Sequence, residues 1–81
     1  MSDNPLRAVV EVVARALVDH PDSVVVTENE RRGSTALELR TAPGDMGKII
    51  GRQGRTAAAI RTLVAVTAEK HGKRAQLDIR D

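Results

Sequence analysis

The sequence has 81 residues, of which 41% are apolar, and its 13 basic and 11 acidic residues leave a formal net charge of +2. It contains no cysteine, which excludes disulfides and thiolate metal sites, and no aromatic residue, which disfavours nucleic-acid-binding domains that stack bases on aromatic rings. The length predicts one domain over residues 1–81. No apolar run approaches the ~20 residues of a membrane span, and residues 1–5 lack signal-peptide features, so we expect a cytoplasmic protein.

The first predicted element is a helix that begins at Asn4-Pro5. Asparagine is a preferred N-cap, and proline is favoured at the first helical position. Apolar residues at helical spacing predict one buried face: Leu6, Val9, Val10, Val13 and Leu17. Residues of opposite charge, four apart, lie on another face: Arg7, Glu11 and Arg15. The helix is predicted to end before Pro21, since a residue preceding proline avoids helical geometry.

Two strands joined by a short turn are predicted next. Residues 23–30 are rich in valine, which favours strands, and residues 35–41 alternate between apolar and polar positions. In the second strand Leu37 and Leu39 are predicted to face the core. The alternate positions are predicted to face away from it: Ala36, Glu38 and Arg40. Because only the turn at residues 31–34 separates the two strands, they should form an antiparallel hairpin.

The second half of the chain predicts two helices and a final strand. Residues 42–44 break the preceding strand, and Asp45 is placed to cap a short helix over residues 46–50. A longer helix is predicted over residues 55–70, with Ile60, Leu63 and Val64 in the core and a stop at His71-Gly72. Alternation resumes in the last strand, where three apolar residues share a face: Ala75, Leu77 and Ile79.

The predicted element order is therefore α-β-β-α-α-β. The second and third strands are joined through two helices, a crossover that normally makes such strands parallel neighbours in one sheet. We therefore predict an α+β fold of two layers, in which a three-stranded mixed sheet is covered on one face by three helices.

Between the two central helices lies the sequence Gly51-Arg52-Gln53-Gly54. Glycine has no Cβ, so we expect the backbone at both ends of this turn to be open to another molecule. The next helix begins at Arg55, and the first amides of a helix lack intrahelical partners and attract anions. Arg52 adds a planar donor fork that suits phosphate. The alternative is that both glycines serve only to shape a tight turn.

Basic residues are concentrated in two parts of the chain. Residues 48–55 contain no acid and three bases: Lys48, Arg52 and Arg55. Residues 70–74 also contain no acid and three bases: Lys70, Lys73 and Arg74. A local excess of this kind suits a modest phosphate-binding patch, and the alternative is that these are ordinary solvated charges.

The element order, together with residues 45–64 around the turn, resembles the type II KH fold, and specifically the small stand-alone KH proteins of bacteria, the KhpA family. The resemblance implies binding of single-stranded RNA, with about four nucleotides in a groove between the turn and the sheet edge. It implies that the phosphates contact the turn and its flanks: Lys48, Gly51, Arg52, Gln53, Gly54 and Arg55. Ile49 or Ile50 would offer an aliphatic surface to the bases, and the sequence leaves that choice open.

The same resemblance implies partners. It suggests a homodimer, or association with a larger RNA-binding protein that carries its own KH domain, in post-transcriptional regulation. The alternative is an interaction module whose turn surface docks a protein or a second copy, with RNA binding secondary. No enzymatic activity, cofactor or metal site is predicted, because His20 and His71 are isolated at helix ends and no acids are paired. Without stacking residues, we expect one domain to bind RNA weakly.

Overall fold

The computed structural model describes residues 4–81, so the prediction made for residues 1–5 lies largely outside the described residues. Three helices and three strands occur in the predicted order: α1 (Pro5–Leu17), β1 (Val25–Arg31), β2 (Ser34–Arg40), α2 (Met46–Ile50), α3 (Arg55–Lys70) and β3 (Arg74–Arg80). The α-β-β-α-α-β order is therefore confirmed. β1 begins two residues later than predicted because Pro21–Ser23 form a 3-10 turn, in which the Val24 amide donates to the Pro21 carbonyl over 3.1 Å.

Helix α1 begins as predicted, because the Asn4 Oδ1 atom accepts a hydrogen bond from the Leu6 amide over 2.9 Å and Pro5 is the first helical residue. The ion pairs along its outer face also form, with Glu11 lying 3.7 Å from Arg7 and 3.5 Å from Arg15. Its fully buried residues are Leu6, Val10 and Ala14.

Leu17 was predicted to be part of the buried face of α1, and that prediction is wrong. Its side chain is 37% exposed, whereas the next residue, Val18, is buried in the core. Leu17 is the last residue of the helix. The chain leaves helical geometry at Val18, which turns inward and takes the core position that periodicity alone assigned to Leu17.

The three strands form one mixed sheet in the order β1-β2-β3. β1 and β2 are antiparallel, and β2 and β3 are parallel, as the two-helix crossover predicts. The hairpin turn is tighter than predicted, since Arg31 pairs with Ser34 and only Arg32 and Gly33 connect the strands. Both turn residues have positive φ, at 47° and 78°, which is the conformation of a type I′ turn. Alternation in β2 is confirmed, with Leu37 and Leu39 facing the core.

Helices α1, α2 and α3 contribute to a core that covers one face of this sheet, which confirms the predicted two layers. α3 buries residues three or four positions apart: Ala57, Ile60, Val64 and Ala68. The sequence also placed Leu63 in the core, but it is 48% exposed. At about 100° per residue, Leu63 falls outside the arc that the four buried residues of α3 occupy. Among residues 4–81, no helix is long and apolar enough to cross a membrane.

Helix α3 ends at the predicted His71-Gly72 stop. The Gly72 amide donates to the Glu69 carbonyl over 3.1 Å, and the Lys73 amide donates to the Ala68 carbonyl over 2.8 Å. These two hydrogen bonds form the Schellman motif, which satisfies carbonyls at the helix end. The chain then enters β3 directly, and the Arg74 amide donates to the Gly33 carbonyl over 3.0 Å. The end of α3 is thereby held beside the hairpin turn.

The Asp45 side chain does not cap α2, contrary to the sequence prediction. It is only 1% exposed, and its carboxylate accepts hydrogen bonds from the Asp19 amide at 3.3 Å and the His20 amide at 3.0 Å. The His20 Nδ1 atom lies 3.1 Å from the same carboxylate. Burial alone would raise the pKa of the Asp45 carboxyl, but the hydrogen bonds from His20 and Asp19 hold that pKa below its ordinary value. Asp45 therefore ties the segment after α1 to the start of α2.

Replacing Asp45 by asparagine should lower the melting temperature near neutral pH by about 5–10 °C, because a charged acceptor of two amides is lost. A lowered pKa means that the carboxylate stabilises the fold above its ordinary pKa and loses this effect as the pH falls through the folded value. Thermal melts from pH 5 to pH 2 should therefore show the two proteins converging in acid. The control Asp22→Asn, at an exposed aspartate, should leave the melting temperature near neutral pH unchanged. A difference in melting temperature between wild type and Asp45→Asn that stays constant from pH 5 to pH 2 would contradict this role of the Asp45 carboxylate.

One buried hydroxyl on the central strand has no hydrogen-bond partner in the described structure. Thr35 is fully buried, and its Oγ1 atom is unpaired. Thr35→Val should therefore raise the free energy of unfolding by about 1 kcal/mol, since the desolvated hydroxyl is removed without a change of shape. Thr41 is the matched control, because its buried hydroxyl donates to the Ala42 carbonyl over 3.0 Å and Thr41→Val should destabilise. Urea denaturation measures the free energy of unfolding of both variants. A change of the same sign in the two variants would contradict the prediction.

Candidate nucleic-acid interface

The loop Gly51–Gly54 makes a sharp turn between α2 and α3. Gly51 ends α2, with its amide donating to the Gly47 carbonyl over 2.9 Å, and has φ 75° and ψ 176°. Gln53 and Gly54 also have positive φ, at 57° and 73°. The Gly54 amide donates to the Gly51 carbonyl over 3.2 Å, which closes the turn. α3 begins immediately afterwards at Arg55, whose amide donates to the Arg52 carbonyl.

The two glycines of the loop serve different purposes. A Cβ atom on Gly51 would lie 2.1 Å from the Thr56 Oγ1 atom and 2.5 Å from its Cβ atom, so glycine is required here for α3 to pack close to α2. A Cβ atom on Gly54 would meet nothing within 4 Å. The sequence predicted that both glycines open the backbone to a ligand. The structure assigns the missing Cβ of Gly51 to internal packing and leaves open space only at Gly54.

The polar side chains of the loop point outward. Arg52, Gln53 and Arg55 are exposed, and Arg55 donates to the Gln53 Oε1 atom over 3.2 Å. Lys48 lies 3.2 Å from Asp19, but both side chains are largely exposed, and such surface ion pairs contribute only about 0–1 kcal/mol. Lys48 is therefore free to exchange this partner for another anion. The chain contains no acidic residue between Asp45 and Glu69, so no carboxylate in that segment opposes an anion at the loop.

The choice between the two isoleucines before the loop is decided by burial. Ile49 is fully buried and belongs to the core, whereas Ile50 is only partly buried. Adjacent helical residues point about 100° apart, so both could not face the core from one short helix. Ile50 is therefore the aliphatic side chain available to a ligand beside the loop. Ile49 leaves the set of candidate contacts, and its role is to anchor α2.

A second feature lies along α3 beyond the loop, on the side of the sheet edge where the family resemblance implies a groove. A cleft of about 270 Å³ separates α3 from the edge strand β3, and it is lined by Arg61, Val64, Ala75, Gln76 and Leu77. Within it, the Arg61 Nε atom donates to the Leu77 carbonyl over 3.3 Å. No sequence signal marked Arg61, because only the parallel placement of β3 beside β2 brings Leu77 under this helix.

Comparison with known proteins identifies the family to which these features correspond. A sequence profile of the KhpA/KhpB KH domain matches residues 7–79. The RNA-binding protein KhpA of Halalkalibacterium halodurans is 50% identical over 76 residues, which cover 94% of this chain and 100% of that protein. The KhpA proteins of Caldanaerobacter subterraneus subsp. tengcongensis and Aquifex aeolicus are 53% and 46% identical, over 86% and 91% of this chain and 93% and 94% of theirs. These names describe RNA-binding proteins and not enzymes.

A solved structure shows the same fold. The crystal structure of Era in complex with MgGDPNP and nucleotides 1506–1542 of 16S ribosomal RNA matches with a TM-score of 0.65 at 22% identity. The match covers 96% of this chain but 31% of the Era chain. At this identity the likeness concerns the fold alone. Together with the family profile, it agrees with the type II KH architecture that the family resemblance implied.

Proposed function

The chain belongs to the KhpA/KhpB KH-domain family, and we propose that it binds short single-stranded RNA through the loop Gly51–Gly54. The observation that carries this proposal is the open space at Gly54 beside the exposed Arg52, in the loop that precedes α3. Arg52 has no ion pair or side-chain hydrogen bond within residues 4–81, so its guanidinium is available to an incoming anion. The names of the relatives, RNA-binding protein KhpA, support RNA as the source of that anion.

The proposed contacts divide into phosphate contacts and base contacts. Phosphate oxygens bind backbone amides in the first turn of α3 beyond Arg55, whose own amide donates to the Arg52 carbonyl. They also bind the guanidinium of Arg52, whose planar fork suits two of these oxygens. Lys48 and Arg55 flank this position. Ile50 provides the aliphatic surface for a base, and the cleft between α3 and β3 holds the bases that follow. About four nucleotides fit this arrangement, and no aromatic ring strengthens it by stacking.

The small footprint has a consequence for how the protein acts. A domain that contacts about four nucleotides without stacking has little capacity to select a sequence. We therefore propose that selectivity comes from a second copy of the chain or from a larger KH-containing RNA-binding protein, in post-transcriptional regulation. A purified monomer that strongly prefers one short RNA over scrambled controls would contradict this.

A second candidate function is an interaction module in which RNA binding is secondary. The observation that favours it is the exposed apolar surface of α3, where Leu63 is 48% and Val66 is 51% exposed. These residues are three apart and therefore share one side of the helix. In this case a second copy or another protein would bind the helix surface, and binding would depend on apolar contact.

Salt dependence distinguishes the two candidates. Fluorescence anisotropy of a labelled short single-stranded RNA should show an affinity that falls by about 0.7 log units for each phosphate contacted and each tenfold rise in salt. Three phosphate contacts would give a slope of about −2. Self-association through Leu63 and Val66 should depend little on salt. Failure to bind RNA at low salt, or binding that salt does not weaken, would overturn the proposal of RNA as the ligand.

A further inference from the structure

The basic side chains of this protein divide into those with an acidic partner and those without one. Within residues 4–81, ion pairs engage Arg7, Arg15, Arg40, Lys48, Lys73 and Arg80. Among the arginines without an ion pair, Arg52 and Arg55 belong to the loop Gly51–Gly54 and its flank. Three more are found at the other end of α3, around the hairpin turn: Arg31, Arg32 and Arg74. The remaining arginine without an ion pair is Arg61, midway along α3, which donates to the Leu77 carbonyl. The other five lie at the two ends of this helix.

The second group lines an open cleft of about 990 Å³, which we call the hairpin cleft. Its walls are the hairpin turn (residues 31–34), the second half of α3 and the start of β3 (residues 73–76). The hydrogen bond from the Arg74 amide to the Gly33 carbonyl holds two of these walls together. Glu69 is the acid that lines the cleft, and Glu30 is engaged with Lys73 at 2.7 Å. The net positive charge around the cleft is larger than the partial negative charge at the C-terminal end of α3. The effect of that partial charge is confined to the last turn of the helix.

The backbone of Arg32 adds an independent observation. Arg32 occupies the first position of a type I′ turn with φ 47°, where asparagine, aspartate or glycine is strongly preferred. Its side chain is exposed and makes no ion pair or hydrogen bond within residues 4–81. Arginine at this position therefore costs turn stability that no ion pair or hydrogen bond of its side chain offsets within residues 4–81.

We propose that the hairpin cleft is a second phosphate-binding site for the same RNA strand that the loop Gly51–Gly54 holds. This inference rests on the proposed function. The cleft between α3 and β3 shares Ala75 and Gln76 with the hairpin cleft, so the two form one continuous path along α3. The 16 residues of α3 span about 24 Å. A stacked strand advances about 3.4 Å per nucleotide, so about seven nucleotides reach from one basic end to the other.

RNA length provides the first test. Wild-type protein should bind an eight-nucleotide single strand at least about tenfold more tightly than a four-nucleotide strand, because only the longer strand reaches both sites. In the triple variant Arg31→Gln, Arg32→Asn, Arg74→Gln, this advantage should fall to the statistical factor that the several registers of a longer strand on one site provide, while four-nucleotide binding is retained. The salt slope for the longer strand should fall by about 0.7 for each phosphate that the variant no longer binds. The control Arg15→Gln, Arg40→Gln, Arg80→Gln removes the same number of charges from ion-paired positions and should keep the advantage.

The single variant Arg32→Asn distinguishes an effect on RNA affinity from an effect on the stability of the fold. Asparagine suits the type I′ turn, so the melting temperature should rise, while affinity for the eight-nucleotide strand should fall. A triple variant that keeps its length advantage, or a control that loses it equally, overturns the second site and leaves the loop proposal standing. A triple variant that binds an acidic peptide less tightly, with its affinity for RNA unchanged, also overturns it. Absence of RNA binding by wild-type protein at both lengths overturns both proposals.

Discussion

The double variant Arg52→Asp, Gln53→Asp should lower the affinity for short single-stranded RNA by about 100-fold. Each aspartate places a negative charge where a phosphate is proposed to lie, and two like charges about 4 Å apart repel by about 1 kcal/mol in water and more near a protein surface. The loss of the Arg52 guanidinium adds to this repulsion. A total of about 3 kcal/mol corresponds to a change of roughly 100-fold. Anisotropy titration at fixed low salt measures the effect.

Folding should be unaffected by this double variant, because both side chains are exposed and neither belongs to the core. Gln53 has φ 57°, and aspartate is one of the residues that tolerates this left-handed conformation. The matched control is Arg15→Asp, Ala16→Asp on the exposed side of α1, which makes the same change in net charge. Equal binding by the loop variant and wild type, or an equal loss in the control, would show that the loop is not the RNA site.

Gly51→Ala should lower the free energy of unfolding by about 3 kcal/mol. The new Cβ atom would lie 2.1 Å from Thr56 Oγ1 and 2.5 Å from Thr56 Cβ, so α2 and α3 would have to separate. Overpacking of this kind costs about 1–3 kcal/mol, and the positive φ of 75° adds about 1–2 kcal/mol for a residue with a side chain. A domain of this size has roughly 4–12 kcal/mol in total, so the loss is a large fraction of its stability. Urea denaturation followed by circular dichroism measures it.

Gly54→Ala is the matched control for this prediction. Its φ of 73° is nearly the same, but its Cβ atom meets nothing within 4 Å, so only the backbone strain should remain. The difference between the two variants therefore isolates the contact with Thr56. Adding Thr56→Gly to Gly51→Ala should restore part of the stability. Equal losses at Gly51 and Gly54 would contradict the packing role. The new Cβ at Gly54 should instead weaken RNA binding, since it occupies the open side of the loop.

Much of the fold was predictable because its signals are local. Asn4-Pro5 begins α1 through a cap that involves only neighbouring residues, and Gly72 ends α3 through hydrogen bonds within one turn. The alternation of residues 35–41 identified the inward face of β2 without knowledge of its neighbours. The loop Gly51–Gly54 was recognisable as a turn between helices for the same reason.

The sequence by itself determined the element order, the parallel and antiparallel pairing, and the loop as a candidate phosphate-binding site. It could not determine which residues at the edge of the core are buried, because the exposure of a residue depends on which distant element packs over it. Ile49 and Ile50 were therefore indistinguishable, and Leu17 and Leu63 were placed in the core although both are exposed. Likewise, Asp45 has a capping position by sequence but binds amides 25 and 26 residues away.

Tertiary structure alone decided two features of the proposed RNA-binding surface. The need for glycine at residue 51 comes from its approach to Thr56 across a helix junction. The hairpin cleft exists because the parallel pairing of β2 and β3 brings residues 31–34 beside residues 72–76. Residues about 40 positions apart meet there only after the sheet has formed, and no pattern within either segment indicates the other.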